Sequence, residues 1–246
     1  MKRNRIRAAF RNARKEGRPA FIPYITGGDP DLETTSRLIR ELDRLGADMI
    51  EIGVPFSDPV ADGIVNQKAA ERALLGGTTL TAILGMVKRL REEVDAGLVL
   101  FTYFNPVHRF GVEAFARAAA DAGIDAVLAV DLPPEEGAEY RGSLNQRGVE
   151  TVFLLAPTSS PERIKRIAGV STGFLYYVSR TGVTGTSDRL DGDLLGSLRR
   201  LRAAVKLPIA VGFGISRPEH IAALRDAADG VVVGSAIVRL IGEGGS

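Results

Sequence analysis

Eight short apolar runs recur along the chain, each followed by an amphipathic stretch. This alternation limits the possible fold more than any other feature. The runs are Ala20 to Ile25, Met49 to Ile52, Leu98 to Phe104, Ala126 to Val130, Thr151 to Leu155, Phe174 to Val178, Ile209 to Val211 and Gly230 to Val233. They are rich in Val, Ile, Leu and Phe, as strands covered on both faces are. The stretches between them carry helix punctuation. Asp31 precedes Leu32, Leu38, Ile39 and Leu42, and Gly46 closes that pattern. Thr79 precedes Leu80, Ile83, Leu84, Val87 and Leu90. Both are helix-start residues, and Pro134, Pro161 and Pro218 stand where first turns would begin. Strand–helix alternation at these spacings gives right-handed βαβ units and a parallel sheet. Eight units in 246 residues predict a single α/β domain over 1–246, a closed (β/α)8 TIM barrel rather than an open sheet.

The start of the chain is basic and poor in acid: Lys2, Arg3, Arg5, Arg7, Arg11, Arg14, Lys15 and Arg18. Such a run suits a transit peptide or a nucleic-acid arm. It also suits an extra N-terminal helix over residues 1–18 that covers one end of the barrel. Ile6, Ala9, Phe10 and Ala13 fall on one helical stripe, and a stripe needs a core to cover, so the helix is the preferred reading and no nucleic-acid partner is expected. The tail 242–246 is expected to fray. The chain has no cysteine, which excludes disulfides and thiolate metal sites, and only two histidines, His108 and His220. No metal site is expected. No apolar run reaches the ~20 residues of a membrane span, so a soluble, cytoplasmic protein with no membrane partner is expected.

In a barrel of this kind the chemistry sits in the loops that follow the strands. The loop after the sixth strand reads Ser179-Arg180-Thr181-Gly182-Val183-Thr184-Gly185-Thr186. Gly212-Phe213-Gly214-Ile215-Ser216 follows the seventh and Gly234-Ser235-Ala236 the eighth. Glycines of this kind make tight turns. They also bring backbone N–H groups close to an anion, and Gly234-Ser235 opens a helix with a positive N-terminus. Two such loops at adjacent strands favour a phosphate site.

After the second strand, Glu51 lies within an apolar run, and Asp62 follows eleven residues later in a loop stiffened by Pro55 and Pro59. A carboxylate inside a strand is costly unless bonded or functional, so Glu51 is either half of an ion pair or a reactive group facing the barrel mouth. Asp62 before Gly63 is a turn former by type.

The run Glu51-Ile-Gly-Val-Pro-Phe-Ser-Asp-Pro-Val-Ala-Asp62-Gly resembles the signature of the tryptophan synthase alpha chain family. The resemblance continues through Phe21-Ile-Pro-Tyr24-Ile-Thr-Gly-Gly-Asp-Pro30, Thr102-Tyr-Phe-Asn-Pro106, Asp131-Leu-Pro-Pro-Glu-Glu136 and Tyr176-Tyr-Val-Ser-Arg-Thr-Gly-Val-Thr-Gly185. It implies a lyase that splits indole-3-glycerol phosphate into indole and D-glyceraldehyde 3-phosphate, the penultimate step of L-tryptophan biosynthesis. It implies Glu51 as general acid/base, and Asp62 as acceptor of the indole N–H. Tyr24, Phe101, Leu128 and Tyr176 would line the indole slot, with Tyr176 also within hydrogen-bonding reach of Glu51. Gly185, Phe213, Gly214, Gly234 and Ser235 would hold the phosphate, and Thr184 would help position Asp62 when the sixth loop closes.

By the same resemblance the partner is a beta subunit in an α2β2 assembly, with pyridoxal phosphate in that subunit and no cofactor in this chain. Its contact face is expected on the loops Val54 to Val65 and Asn105 to Gly111, through Pro55, Phe56, Pro59, Pro106, Val107 and Phe110. After Gly63 the family usually continues with proline and a β-branched residue before Ile-Gln. Ile64-Val65-Asn66-Gln67 departs from that and predicts a looser loop. A stand-alone lyase would share every motif. Other phosphate-binding barrels would carry a catalytic lysine at a strand end, and Lys68, Lys88 and Lys206 are not so placed.

Overall fold

A computed structural model of the chain describes residues 4–178, 192–212, 215 and 218–244. Eight parallel strands close into a barrel in sequence order. They are β1 (Ala20–Thr26), β2 (Met49–Gly53), β3 (Gly97–Thr102), β4 (Ala126–Ala129), β5 (Glu150–Leu155), β6 (Leu175–Val178), β7 (Ile209–Gly212) and β8 (Gly230–Val233). β1 pairs with β8 through Ala20↔Gly230 to Pro23↔Val233, which completes the ring. Nearly every strand residue is buried, because side chains alternate between the barrel interior and the layer under the helices. Met49, Val99, Leu128, Phe174 and Ala210 fill the interior. Ile50, Ile52, Leu98 and Leu100 pack outward against helices Leu80–Leu90 and Val112–Ala122.

The start signals hold for most helices. Asp31 accepts from the Thr34 N–H at 2.6 Å at the head of Leu32–Arg44. Thr79 accepts from the Ala82 N–H at 3.2 Å, and Pro161 opens Pro161–Val170. Two segments differ. Asn105 to Gly111, expected as a loop, is a helix, Phe104–Phe110, and β3 stops two residues sooner than expected. Its first N–H, from Phe104, is satisfied at 2.6 Å by the Asp131 carboxylate in the loop after β4. That cap comes from a neighbouring loop and has no local signal. Pro134 does not start a helix. It lies in a turn closed by the Glu136 N–H on the Pro133 carbonyl, and the helix runs over Ala138–Asn145. The last helix, Ser235–Gly244, also runs on into the stretch expected to fray.

The N-terminal helix, Arg5–Lys15, plugs one end of the barrel with Ile6, Phe10 and Ala13, and Phe10 packs on Phe174 at 5.5 Å between ring centroids. Its arginines reach acidic residues at the starts of strands: Arg5 to Asp125, Arg7 to Glu150 and Arg14 to Asp229, at 3.6 to 3.9 Å. Arg18, just beyond the helix, binds Asp48 at 2.5 Å. Three of these acids also accept a backbone N–H from the preceding strand in the barrel. Asp48 takes Phe21, Asp125 takes Leu98 and Asp229 takes Ile209, at 2.8 to 2.9 Å. Four of the run's basic residues, Arg5, Arg7, Arg14 and Arg18, are therefore paired within the fold, at the end where the strands begin. Exposed pairs of this kind contribute little each, and the apolar stripe supplies most of the binding.

Candidate active site

Glu51 is the middle residue of β2, paired in register with Tyr24 on β1 and Val99 on β3. Its neighbours Ile50 and Ile52 face the helices and Met49 faces the interior, so alternation turns Glu51 inward. It is fully buried, and neither carboxylate oxygen has a hydrogen-bond partner among the described residues. The described residues offer no cation for the ion-pair reading of Glu51. Burial with no compensating donor disfavours the charged form and pushes its pKa up to about 8.

Asp62 lies half-buried at the end of the loop after β2, just before the helix Ile64–Leu75. The Tyr103 hydroxyl donates to its Oδ2 at 3.0 Å and accepts the Ala61 N–H at 2.9 Å. Gln67 donates through Nε2 to the Asp62 carbonyl at 2.8 Å, and the Asp62 N–H closes a turn on the Pro59 carbonyl at 3.0 Å. Asp62 is thus a turn residue by its backbone and a held carboxylate by its side chain. Burial raises its pKa, while the Tyr103 hydrogen bond pulls against that rise. Ile64, Val65 and Asn66, which depart from the family pattern, form the first turn of the helix Ile64–Leu75.

Tyr24 and Tyr176 lie close enough to both carboxylates to feel their charge. Tyr24, Phe101, Leu128 and Tyr176 belong to one buried cluster, and Tyr24 meets Phe101 edge-on at 5.3 Å. Two glycines make room for the tyrosines. A Cβ on Gly53 would fall on the Tyr24 hydroxyl, and one on Gly212 would fall on the Tyr176 hydroxyl. Burial and the nearby Glu51 charge raise the Tyr176 pKa, but the expected hydrogen bond to Glu51 is not formed. Its hydroxyl is drawn over the backbone at Gly212 instead. Gly234 packs against Tyr24, its ideal Cβ position 3.6 Å from the Tyr24 Cβ, and Ser235 opens the last helix. The candidate anion site therefore adjoins the aromatic cluster. Thr184, Gly185, Phe213 and Gly214 lie outside the described residues.

A family model, Tryptophan synthase alpha chain, matches residues 10–245. The chain belongs to the tryptophan synthase alpha chain family. The tryptophan synthase alpha chain of Geobacter sp. (strain M21) is 50% identical over 236 residues, covering 96% of this chain and 88% of its own. Subunit alpha from Legionella pneumophila superposes with a TM-score of 0.90 at 38% identity, covering 98% of this chain and 90% of its own. A structure of the tryptophan synthase a2b2 complex from Pyrococcus furiosus matches with a TM-score of 0.87 at 42% identity over 92% of this chain and 91% of its own.

Three residues of this candidate site escaped the sequence reading as participants: Tyr103, Gly53 and Gly212. Tyr103 was detectable in principle. β2 and β3 are neighbours, so the loops that follow them must touch, and a tyrosine at the end of β3 has a donor to offer across that gap. The exposure of the loops expected to meet a partner also differs from expectation. Pro55 and Val107 are buried, and Phe56, Pro59, Pro106 and Phe110 are half-buried. Val60 and Ile64, 87% and 70% exposed, are the apolar residues open to solvent there.

Proposed function

We propose that Glu51 and Asp62 divide the cleavage of indole-3-glycerol phosphate between them, Glu51 carrying the proton and Asp62 supplying the counter-charge. The observation that carries this assignment is a carboxyl group buried beside an aromatic cluster with no partner for either oxygen among the described residues. Its pKa near 8 leaves Glu51 protonated at neutral pH. Glu51 gives that proton to the ring carbon bearing the glycerol chain, and the ring nitrogen takes up positive charge. Asp62 accepts the N–H and stabilises this indolenine cation. The Glu51 carboxylate then takes the proton of the adjacent glycerol hydroxyl. The carbon–carbon bond breaks, its electron pair returns to the ring, and an aldehyde forms. Indole and D-glyceraldehyde 3-phosphate leave, and Glu51 ends as it began. Proton transfer of this kind contributes about 10²–10⁴-fold.

The slot of Tyr24, Phe101, Leu128 and Tyr176 takes the indole ring. Gly234 and Ser235, with Gly185, Phe213 and Gly214, take the phosphate, and Thr184 acts on Asp62 when the sixth loop closes over substrate. The chain works as the alpha subunit of an α2β2 tryptophan synthase, in the cytoplasm. It needs no cofactor for this step, and pyridoxal phosphate belongs to the beta subunit that receives the indole. The exposed Val60 and Ile64 suit that partner. The α2β2 assembly of the Pyrococcus relative favours this reading over a stand-alone lyase. An indole-release assay on indole-3-glycerol phosphate, with and without a beta subunit, tests it. Cleavage that accelerates on adding the partner is expected. High activity that ignores the partner would favour the stand-alone enzyme, and no cleavage in either case would refute the assignment.

A further inference from the structure

We propose that the Tyr24 hydroxyl is a further catalytic group of this site, donating a hydrogen bond to the substrate oxygen that gives its proton to Glu51. The inference rests on the reading of Glu51 as the proton carrier. Tyr24 and Glu51 are paired in register on neighbouring strands, and both face the barrel interior. The tyrosine ring does not stay at that level. Its hydroxyl lies where a Cβ on Gly53 would fall. Gly53 is the next inward position on β2 after Glu51, about 7 Å further toward the strand ends at the rise of a parallel strand. The phenol oxygen therefore stands between Glu51 and the mouth of the barrel, on the side from which substrate comes.

The ring is held along its length. The ideal Cβ position of Gly234, at the candidate anion site, is 3.6 Å from its Cβ. Phe101 meets it edge-on at 5.3 Å. Tyr24 thus spans the gap between the anion site, at its Cβ end, and the level above Glu51, at its hydroxyl end. A glycerol chain stretched from a phosphate at Gly234 to a ring carbon at Glu51 runs beside it. The apolar contacts of this ring need no hydroxyl, since phenylalanine would make them all. What the hydroxyl adds is a donor. Burial, with the nearby Asp62 and Glu51 charges, raises its pKa, so it keeps its proton through the working range.

During cleavage the substrate oxygen passes from hydroxyl to aldehyde. Its proton goes to Glu51, and negative charge on it peaks between those two states. A fixed donor is worth most at that point. No proton leaves Tyr24. The neutral hydroxyl of bound substrate gains less from the same donor, so the contribution falls on turnover rather than on binding.

Tyr24→Phe removes the hydroxyl alone. Its kcat on indole-3-glycerol phosphate should fall about 10- to 100-fold, while KM stays within about twofold. A second ligand, 3-(indol-3-yl)propyl phosphate, keeps the ring and the phosphate and lacks both glycerol hydroxyls. Its affinity, measured by calorimetry, should match the parent's, which shows the aromatic cluster and the anion site intact. A kcat within about threefold of the parent overturns the inference and leaves the proposed function standing. So does a rise in KM at constant kcat, or a loss of kcat matched by an equal loss of affinity for the second ligand, because either would mean that Tyr24 only packs. A parent that does not cleave the substrate overturns both readings.

Discussion

Glu51 and Asp62 are the same chemical group in two environments, and the contrast explains how one site can run two roles. Glu51 sits on a strand, fully buried, with no donor among the described residues, and its proton is held up to about pH 8. Asp62 sits at a loop end, half-buried, with the Tyr103 hydroxyl bonded to its carboxylate, and burial raises it against that pull. Desolvation acts on both, and a donor opposes it at one. A barrel strand cannot bend to offer Glu51 a partner, because its backbone groups are committed to the ladder. The loop can fold back to meet Tyr103. The first environment makes an acid at neutral pH. The second favours an anion matched to a developing cation.

The contrast breaks most visibly at Glu51. Glu51→Gln keeps the shape and cannot cycle a proton, so indole release should fall about 10²–10⁴-fold with the barrel intact by circular dichroism. Activity within tenfold of the parent would remove the proton-carrier role. Asp62→Asn keeps the shape and loses the charge. Its kcat should fall about 10²-fold while KM changes little. A rise in KM at constant kcat would mean Asp62 only positions the substrate.

A third measurement separates the two carboxylates by stability. The folded-state pKa of Glu51, about 8, lies above its ordinary value of 4.5. Its contribution to stability is therefore full below about pH 4.5 and is lost as pH rises through about 8. Between pH 5 and pH 9 the parent should lose a few kcal/mol that Glu51→Gln keeps, read by urea unfolding. Asp62→Asn should track the parent over that range. Parallel curves for parent and Glu51→Gln would show that Glu51 is charged or paired in the folded protein. The smallest effect is expected from Gly53→Ala. The new methyl would displace the Tyr24 hydroxyl and tilt the ring into the slot, costing about tenfold in kcat/KM. Binding of glycerol 3-phosphate should be unaffected. Unchanged cleavage would mean that Tyr24 has room to move without narrowing the slot.

Much of this was legible from residue order. Eight apolar runs gave eight strands, and the stripe of Ile6, Ala9, Phe10 and Ala13 gave the helix that covers the barrel's far end. Glu51 stood out because a carboxylate in an apolar strand has few explanations. Periodicity reads these features because each depends on which face of an element is buried, and that face is set by local spacing. The cap of Phe104 by Asp131, the hold of Tyr103 on Asp62, and the room that Gly53 and Gly212 leave for two tyrosine hydroxyls were not legible. Each joins residues on different elements, and local spacing does not carry that. The sequence by itself determined the barrel, its plug and its two candidate carboxylates. Only the tertiary structure decided that one carboxylate has no donor among the described residues and the other has the Tyr103 hydroxyl, because hydrogen bonds between neighbouring loops exist only once the sheet has closed.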